Sequence, residues 1–234
     1  MTISYDGRNY NGWQKQPTGV TVQGELERAL SVVLRAEVDT TASGRTDAKV
    51  SAYAQVVHFE YDGEIDSYKF MRSMNGVLPK DIRVMGIIKT DIHARFSAKR
   101  KTYMYRMYVS NIELPLYGDA LQISPKLNYR AMHKFIKMIK GTHDFDGFKA
   151  SGSEVVDNVR TIYDARLVKN GIYLDFYITG NGFLYKMVRN IVGTMLKVGE
   201  VKLDLKELKK ELFDTYRSRF TAKPDYLYLV TVEY

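Results

Sequence analysis

The segment Ser43-Gly44-Arg45-Thr46-Asp47 concentrates a glycine, a cation, a hydroxyl and a carboxylate in five residues. The glycine permits a tight backbone, and the Arg45 guanidinium can hold a phosphate through two parallel hydrogen bonds. The Asp47 carboxylate can then either pair with a cation or act as a nucleophile or base. A turn in which the aspartate bonds its own backbone is the structural alternative, and spacing alone favours that turn.

A tyrosine, an arginine and a basic run are further candidates for chemistry or binding. Tyr103 lies in an alternating segment that predicts a strand, where a lone tyrosine usually belongs to the core. Arg189 lies off the apolar face of a periodic segment, and both a solvated and a functional arginine fit that position. The run Lys99-Arg100-Lys101 fits either a solvated surface or a contact with an RNA backbone. We favour RNA because the run falls between Phe96 and the Tyr103 strand.

The composition narrows the classes of function. Lys and Arg number 35 against 27 Asp and Glu, a formal charge of +8, which favours a phosphate-rich partner. The 18 tyrosines can stack on bases, although strand composition accounts for most of them. The chain has no cysteine, and its four histidines lack metal-ligand spacing, so we expect neither a cysteine nucleophile nor a metal.

The sequence also carries no membrane or export signal. No apolar run reaches the length of about 18 residues that a membrane span needs. The first residues lack the charged-then-apolar pattern of a signal peptide. We therefore expect a soluble cytoplasmic protein that does not bind membranes.

Hydrophobic periodicity predicts the elements that must position these residues. In the first half we predict helices after Thr21 and over residues 70–77, and strands at residues 3–5, near 40, at 54–61 and at 82–88. In the second half we predict helices after Asn128, over residues 184–195 and from Asp204, and strands at 102–109, 161–168, 172–179 and 227–234. The dipeptide Asn170-Gly171 predicts a tight hairpin.

Each half therefore follows the order strand–helix–strand–strand–helix–strand, the split βαβ arrangement. We predict an α+β fold of two ferredoxin-like halves, residues 1–100 and 101–234, with joined, mainly antiparallel sheets and a central cleft. The first half would carry the Asp47 loop, and the second would carry the Tyr103 strand and the Arg189 helix. RNA-recognition modules share this topology, but a topology does not fix a function.

Short blocks spread over nearly the whole chain resemble the tRNA pseudouridine synthase A family, in the family's order. The matching blocks are Tyr5-Asp6-Gly7, Gly12-Trp13-Gln14, Gly44-Arg45-Thr46-Asp47-Ala48, Leu78-Pro79, Ala94-Arg95-Phe96-Ser97-Ala98, Gly141-Thr142-His143-Asp144-Phe145, Gly182-Phe183-Leu184-Tyr185, Met187-Val188-Arg189-Asn190-Ile191-Val192-Gly193 and Leu227-Tyr228-Leu229.

The resemblance implies an enzyme that isomerises uridine to pseudouridine in structured RNA. It assigns the catalytic carboxylate to Asp47, the tyrosine that packs on the target uridine to Tyr103, and the arginine that pairs with the carboxylate to Arg189. The reaction changes no oxidation state and loses no group, so no cofactor is expected. Whether Asp47 attacks the sugar or removes a sugar proton stays open. The resemblance also implies a homodimer and a tRNA substrate.

The predicted RNA contacts surround this trio and include two basic clusters. They are Arg45, Thr46, Lys49, Arg95, Phe96, Lys99, Arg100 and Lys101. The chain departs from the family at Lys49 and Ser51, where Gly and His are usual. The target could therefore be positions 38 to 40 of the tRNA anticodon stem-loop, another tRNA site or another structured RNA.

Two classes of function remain at this point. The leading hypothesis is the isomerase, and the alternative is a non-catalytic RNA-binding protein on the same scaffold. Retention of Asp47, Tyr103 and Arg189 favours the enzyme, because a carboxylate in a basic cleft would repel phosphates. We predict that the Asp47 carboxylate and the Arg189 guanidinium lie within roughly 4 Å, with the Tyr103 ring bordering the same pocket.

Overall fold

The computed structural model describes residues 1–152 and 155–234. The chain divides into two compact units, residues 1–99 with 228–234, and residues 100–227. Sequence analysis divides the chain one residue later and leaves the closing strand with the second half. The structure instead groups residues 228–234 with the first unit.

Ten strands and five helices are present in the described ranges. Along the chain they are β1 (Thr2–Tyr5), α1 (Val22–Leu34), β2 (Thr41–Ala42), β3 (Ser51–His58), α2 (Ser67–Val77), β4 (Ile82–Gly86), β5 (Arg100–Val109), β6 (Leu121–Ile123), α3 (Tyr129–Met138), β7 (Gly141–Asp144), β8 (Val159–Asn170), β9 (Tyr173–Gly180), α4 (Met187–Gly199), α5 (Leu205–Glu211) and β10 (Leu227–Glu233).

In the first unit, β3 lies between β1 and β2 and runs antiparallel to both. The crossover β1–α1–β2 therefore leaves room for β3 between its two strands, which is the predicted split βαβ arrangement. Strand β1 also pairs antiparallel with β4. Strand β10 pairs in parallel with the start of β3, with Tyr228 opposite Ser51.

The predicted signals mark the start of α1 and the end of α2, while α2 begins at Ser67, three residues earlier than predicted. The Thr21 hydroxyl caps α1 by accepting from the Gly24 N–H at 3.2 Å. Helix α2 ends at Val77, and its cap residue Leu78 directly precedes Pro79, which cannot continue a helix. The apolar faces of both helices and the strands form one core that includes Ile3, Val22, Leu26, Leu30, Val57, Phe70, Met74 and Ile82.

In the second unit, β9 lies between β5 and β8 and is antiparallel to both. Strand β7 extends the sheet beside β8, and the short β6 runs parallel to β5. Gly171 takes a φ of +60° in the β8–β9 hairpin, as its position after Asn170 predicts. The α+β class and the mainly antiparallel pairing are thus confirmed within each unit.

Element boundaries differ from the sequence-based expectation at several ends, and the larger differences concern β3, α4, β6 and β7. Strand β3 begins at Ser51 and not at residue 54, because its first residues include small side chains with a weak strand signal. Helix α4 begins at Met187 and not at Leu184, since Lys186 before it takes a positive φ of 56°. Strands β6 and β7 are not predicted, because the three residues of β6 and the polar sequence of β7 show no hydrophobic alternation. No helix of the described ranges is long and apolar enough to cross a membrane.

Candidate functional site

The loop that carries Asp47 connects β2 to β3 and rests on a buried hydroxyl pair. The Tyr5 hydroxyl and the Thr46 Oγ1 lie 2.8 Å apart, and both side chains are buried. Burial raises the pKa of Tyr5 to about 12, so the phenol stays protonated. The Trp13 N–H donates to the Thr46 carbonyl at 3.0 Å. Thr46, which sequence analysis places among the RNA contacts, is thus enclosed within the protein and supports the loop.

The start of the same loop is fixed from β3 by one buried amide. The Gln55 side chain accepts from the Ser43 hydroxyl at 2.7 Å and donates to the Gly44 carbonyl at 2.8 Å. Gln55 has no exposed surface, so its amide is shielded from water. Breaking either bond would leave a buried polar group unsatisfied, which makes this end of the loop rigid.

A tight turn follows the carboxylate. The Val50 N–H donates to the Asp47 carbonyl at 3.1 Å, and the Lys49 N–H donates to the Tyr10 carbonyl at 3.1 Å. Lys49 takes a φ of 67°, in the left-handed region that glycine adopts without cost. The left-handed backbone explains why glycine is usual in the family at this position. Lysine adopts the same conformation here at a cost in backbone strain.

Two other substitution-sensitive positions lie against the loop. Gly12 has a φ of +89°, and an added Cβ would lie 2.8 Å from the Thr46 carbonyl oxygen, so glycine is required there. The Ser51 hydroxyl is buried and accepts from the Gly7 N–H at 2.9 Å. Ser51 therefore joins the opening segment of the chain to the first residue of β3.

The side chains of the loop therefore differ in their exposure to solvent. Thr46 is buried, Asp47 is half-buried, and Arg45 and Lys49 are exposed. A half-buried carboxylate flanked by two exposed cations is an arrangement that can bring a phosphate backbone to a reactive group.

In the second unit, Arg189 lies in the first turn of α4 and is half-buried. Its Nε donates to the Ala222 carbonyl at 2.9 Å, and the Ala222 N–H donates back to the Arg189 carbonyl at 3.1 Å. The direction of the guanidinium is therefore set by an irregular segment 33 residues further along the chain.

Buried polar residues of α4 hold that irregular segment in place. The Asn190 side chain accepts from the Thr221 hydroxyl at 2.7 Å and donates to the Phe148 carbonyl at 2.8 Å. A Cβ added at Gly193 would lie 2.2 Å from the Phe220 carbonyl oxygen. Sequence analysis assigns no role to these residues, and the available signal is a polar side chain and a glycine within a strongly apolar helix.

Tyr103 lies on β5, where its ring meets Phe183 edge-on at 5.2 Å between centroids. Tyr105 shares its strand face, and the Tyr105 hydroxyl donates to the Lys223 carbonyl at 3.0 Å. Burial raises the pKa of Tyr105, and the positive charge of Arg189 opposes that rise. Tyr105 and Arg189 thus contact adjacent carbonyls, which brings the Tyr103 strand and the Arg189 helix to one region of this unit.

Four of the five remaining predicted RNA contacts are exposed. Arg95, Phe96 and Lys99 are exposed in the first unit. Arg100 is exposed in the second unit, with its guanidinium carbon 4.9 Å from the centre of the Tyr163 ring, and Lys101 is half-buried.

Two further expectations about the site are the pairing of Asp47 with Arg189 and the absence of a metal ion. The pairing of Asp47 with Arg189 joins residues of different units and stays a prediction. In the part of the chain that the structure describes, no group of three or more His, Asp or Glu side chains is arranged to hold a metal ion.

Comparison with known proteins identifies the family. A model of the family described as tRNA pseudouridine synthase matches residues 1–97 and 135–234. The chain is 42% identical over 238 residues to the tRNA pseudouridine synthase A of Anoxybacillus flavithermus, covering 100% of this chain and 97% of that protein. It is 41% identical over 247 residues to that of Lacticaseibacillus casei (100% and 98% covered), and 43% identical over 209 residues to that of Clostridium acetobutylicum (87% and 84% covered). The chain therefore belongs to the tRNA pseudouridine synthase family of isomerases, and the resemblance seen in its sequence is confirmed.

Proposed function

We propose that this enzyme converts uridine to pseudouridine in tRNA, with Asp47 as the catalytic carboxylate. The observation that carries the proposal is the family match, whose two segments include both Asp47 and Arg189. The first two relatives reported above are named tRNA pseudouridine synthase A, and this chain matches 97% and 98% of their length, which supports tRNA as the substrate. Positions 38 to 40 of the anticodon stem-loop are the proposed target.

The reaction breaks the bond between N1 of uracil and C1′ of ribose and forms a bond between C5 and C1′. The proton on C5 is lost and N1 gains a proton, so the composition of the nucleotide is unchanged. Asp47 would either attack C1′ as a nucleophile or remove a proton from the sugar. Both routes require the carboxylate in its charged form, in a site from which water is excluded.

The proposed roles of the other residues follow from their chemistry. The Arg189 guanidinium, fixed through its Nε on Ala222, would keep the carboxylate charged and oriented. The Tyr103 ring would pack on the uracil while it is detached from the sugar. The target nucleotide must be unstacked to reach these groups, as enzymes that act on bases generally require.

Two further features belong to the same proposal. A homodimer is proposed, so sedimentation at RNA-binding concentrations should show a species of twice 27.0 kDa. An active protein that sediments as a monomer would refute the dimer without affecting the reaction. A cytoplasmic location is proposed because the enzyme must meet its tRNA substrate there.

Release of tritium from tRNA transcribed with 5-tritiated uridine tests the reaction, because C5 loses its hydrogen only when the new bond forms. We expect the purified protein to release tritium from whole tRNA over many turnovers. Pseudouridine mapping of cellular RNA with and without the gene should then identify the positions. Tight tRNA binding without tritium release, and identical maps, would support the non-catalytic RNA-binding alternative.

A further inference from the structure

An exposed phenylalanine in the first unit rests on a column of two histidines. The Phe96 side chain is 78% exposed, more than any other large hydrophobic side chain of that unit. Its ring stacks on His93 at 4.4 Å between centroids, with an interplanar angle of 27°. The His93 ring in turn lies 4.4 Å from the ring of His58 in β3, and these two rings are tilted by 60° and not stacked. The proposed chemistry at Asp47 uses none of these three rings.

Backbone hydrogen bonds fix each histidine of the column. The His93 Nδ1 accepts from the N–H groups of Arg95 and Phe96 at 3.1 and 3.2 Å. The His58 Nδ1 accepts from the Ala94 N–H at 3.1 Å. Burial, followed by the proximity of His93, holds the pKa of His58 below its usual value, which keeps this nitrogen available as an acceptor.

The turn that presents Phe96 is also tied to the closing strand. The Tyr234 hydroxyl donates to the Ala94 carbonyl at 2.7 Å, and the Lys99 N–H donates to the Glu233 carbonyl at 2.8 Å. Phe96 is therefore held rigidly at the surface, although its side chain gains little burial there. A rigid exposed aromatic ring is costly in water and is typical of recognition surfaces.

The charges beside the ring indicate the chemistry of its partner. The Arg95 guanidinium carbon lies 5.8 Å from the centre of the Phe96 ring, and Lys99 is exposed three residues further on. An aromatic face bordered by cations matches an unpaired nucleotide, whose base can stack while its phosphate is held by the cations. A paired duplex offers phosphates but hides the faces of its bases.

We propose that Phe96, supported by His93 and His58, is a stacking site for an unpaired base of the RNA substrate, separate from the uridine that is isomerised. This inference rests on the proposed function, since it requires an RNA substrate. It assigns to the two histidines the role of positioning residues for the stacking ring.

Fluorescence gives a direct test, because the chain has one tryptophan, Trp13, which is buried. A Phe96→Trp variant places a second indole at the stacking site, and a stacked base should quench its emission. Tyr68→Trp is a matched control: Tyr68 is 66% exposed and has the Arg72 guanidinium carbon at 5.8 Å, but no histidine ring of the described residues stacks on it. The probes are an unmodified tRNA transcript, a single-stranded oligouridylate and an RNA duplex of equal length.

We expect the tRNA and the oligouridylate, but not the duplex, to quench the indole introduced at position 96, with little change in the indole introduced at position 68. Phe96→Leu should weaken tRNA binding by about 5- to 150-fold, the range for loss of one base–aromatic stack. In turnover, this loss should fall on KM far more than on kcat. His93→Leu, combined with Phe96→Trp, should reduce the quenching, while His93→Gln, which can still accept a hydrogen bond, should retain more of it.

Several outcomes would overturn the inference. Equal quenching in the Phe96→Trp and Tyr68→Trp variants, or equal quenching by duplex and single strand, would contradict base stacking. It would indicate that RNA contacts position 96 only through general electrostatic attraction. A change in the emission of Phe96→Trp with protein concentration, in the absence of RNA, would show that a second copy of the chain covers this position.

Quenching without any tritium release would retain the stacking site and refute the proposed reaction, so the two failures are distinguishable.

Discussion

The loop that carries Asp47 and the helix end that carries Arg189 are fixed by different means. The loop lies directly on buried side chains, with Tyr5 beneath Thr46 and Gln55 bonded to both Ser43 and Gly44. Arg189 is oriented indirectly. Its Nε donates to the carbonyl of Ala222, which belongs to an irregular segment that is itself held by hydrogen bonds to α4. The first arrangement resists displacement of the backbone, and the second depends on how well an irregular segment keeps its place.

Under the roles proposed for Asp47 and Arg189, this difference suggests a division of work in which the carboxylate needs the firmer support. A carboxylate that reacts at one atom must be placed accurately, since a displacement of about 1 Å can cost about 100-fold in rate, and a buried network favours such placement. An arginine that supplies charge tolerates a looser support, because charge interactions vary slowly with distance. Substitutions at matched positions in the two regions can test this division.

Loss of the carboxylate should have the largest effect. We expect Asp47→Ala to lower kcat by about 10⁴-fold or more, as removal of a reacting group generally does. Binding of tRNA should change little, because the carboxylate attracts no phosphate. Tritium release and filter binding measure the two quantities separately. Asp62→Ala, which removes an exposed carboxylate from the loop after β3, is the control. Multiple turnover by Asp47→Ala would refute the assignment.

A methyl group added at a glycine in each region should come next. Gly12→Ala forces a left-handed residue against the Thr46 carbonyl, and Gly193→Ala pushes the Phe220 carbonyl away from α4. We expect Gly12→Ala to lower the free energy of unfolding by about 2–4 kcal/mol, since strain and overlap add, and Gly193→Ala by about 1–3 kcal/mol. Urea denaturation measures both.

The matched control for these two variants is Gly76→Ala in α2, where a Cβ meets no atom within 4 Å. Alanine there should stabilise the helix by up to about 1 kcal/mol. The division of work predicts that Gly12→Ala also lowers kcat more than Gly193→Ala does. A larger loss of kcat in Gly193→Ala than in Gly12→Ala would mean that catalysis depends more on the exact position of Arg189 than on that of Asp47.

Removal of one hydroxyl in each region is a smaller change. Tyr5→Phe leaves the buried Thr46 hydroxyl without its partner, and Tyr105→Phe leaves the Lys223 carbonyl without its donor. We expect each to cost about 1–2 kcal/mol of stability. Tyr5→Phe should also lower kcat, with KM nearly unchanged. A double-mutant cycle with Thr46→Val checks the pair: additive effects would show that the two hydroxyls do not act together.

The same contrast explains what could be predicted from the sequence. The Asp47 loop and the Arg189 helix are recognisable because short blocks of residue types carry them, and periodicity gives most helices and strands. The supports are harder to predict. Nothing in local sequence pairs Tyr5 with Thr46 or Arg189 with Ala222, since these contacts join positions 41 and 33 residues apart. Thr46 is predicted as an RNA contact for this reason, because a hydroxyl beside the proposed catalytic aspartate carries no local sequence signal that it is buried.

The closing strand illustrates a second limit. Its alternating pattern predicts β10 correctly, but periodicity does not say which neighbour a strand pairs with. The parallel pairing of Tyr228 with Ser51 joins segments of the first unit that lie far apart along the chain. The two-residue β2 covers only the end of β3, which leaves the start of that strand open for β10.

Relief of strain at Lys49 should have the smallest effect and tests whether the loop retains lysine for RNA. Lys49→Gly removes the cost of a positive φ, so we expect a gain in stability of about 1 kcal/mol. It also removes an exposed cation two residues from Asp47, so tRNA binding should weaken and become less sensitive to salt. Lys49→Asn separates the two effects, since asparagine tolerates the left-handed region but carries no charge. Asparagine should match glycine in RNA binding and gain less stability, while Lys49→Arg should keep RNA binding and gain none. If glycine stabilised the protein with no change in binding or in the uridines modified, the lysine would be strain without a function in RNA recognition.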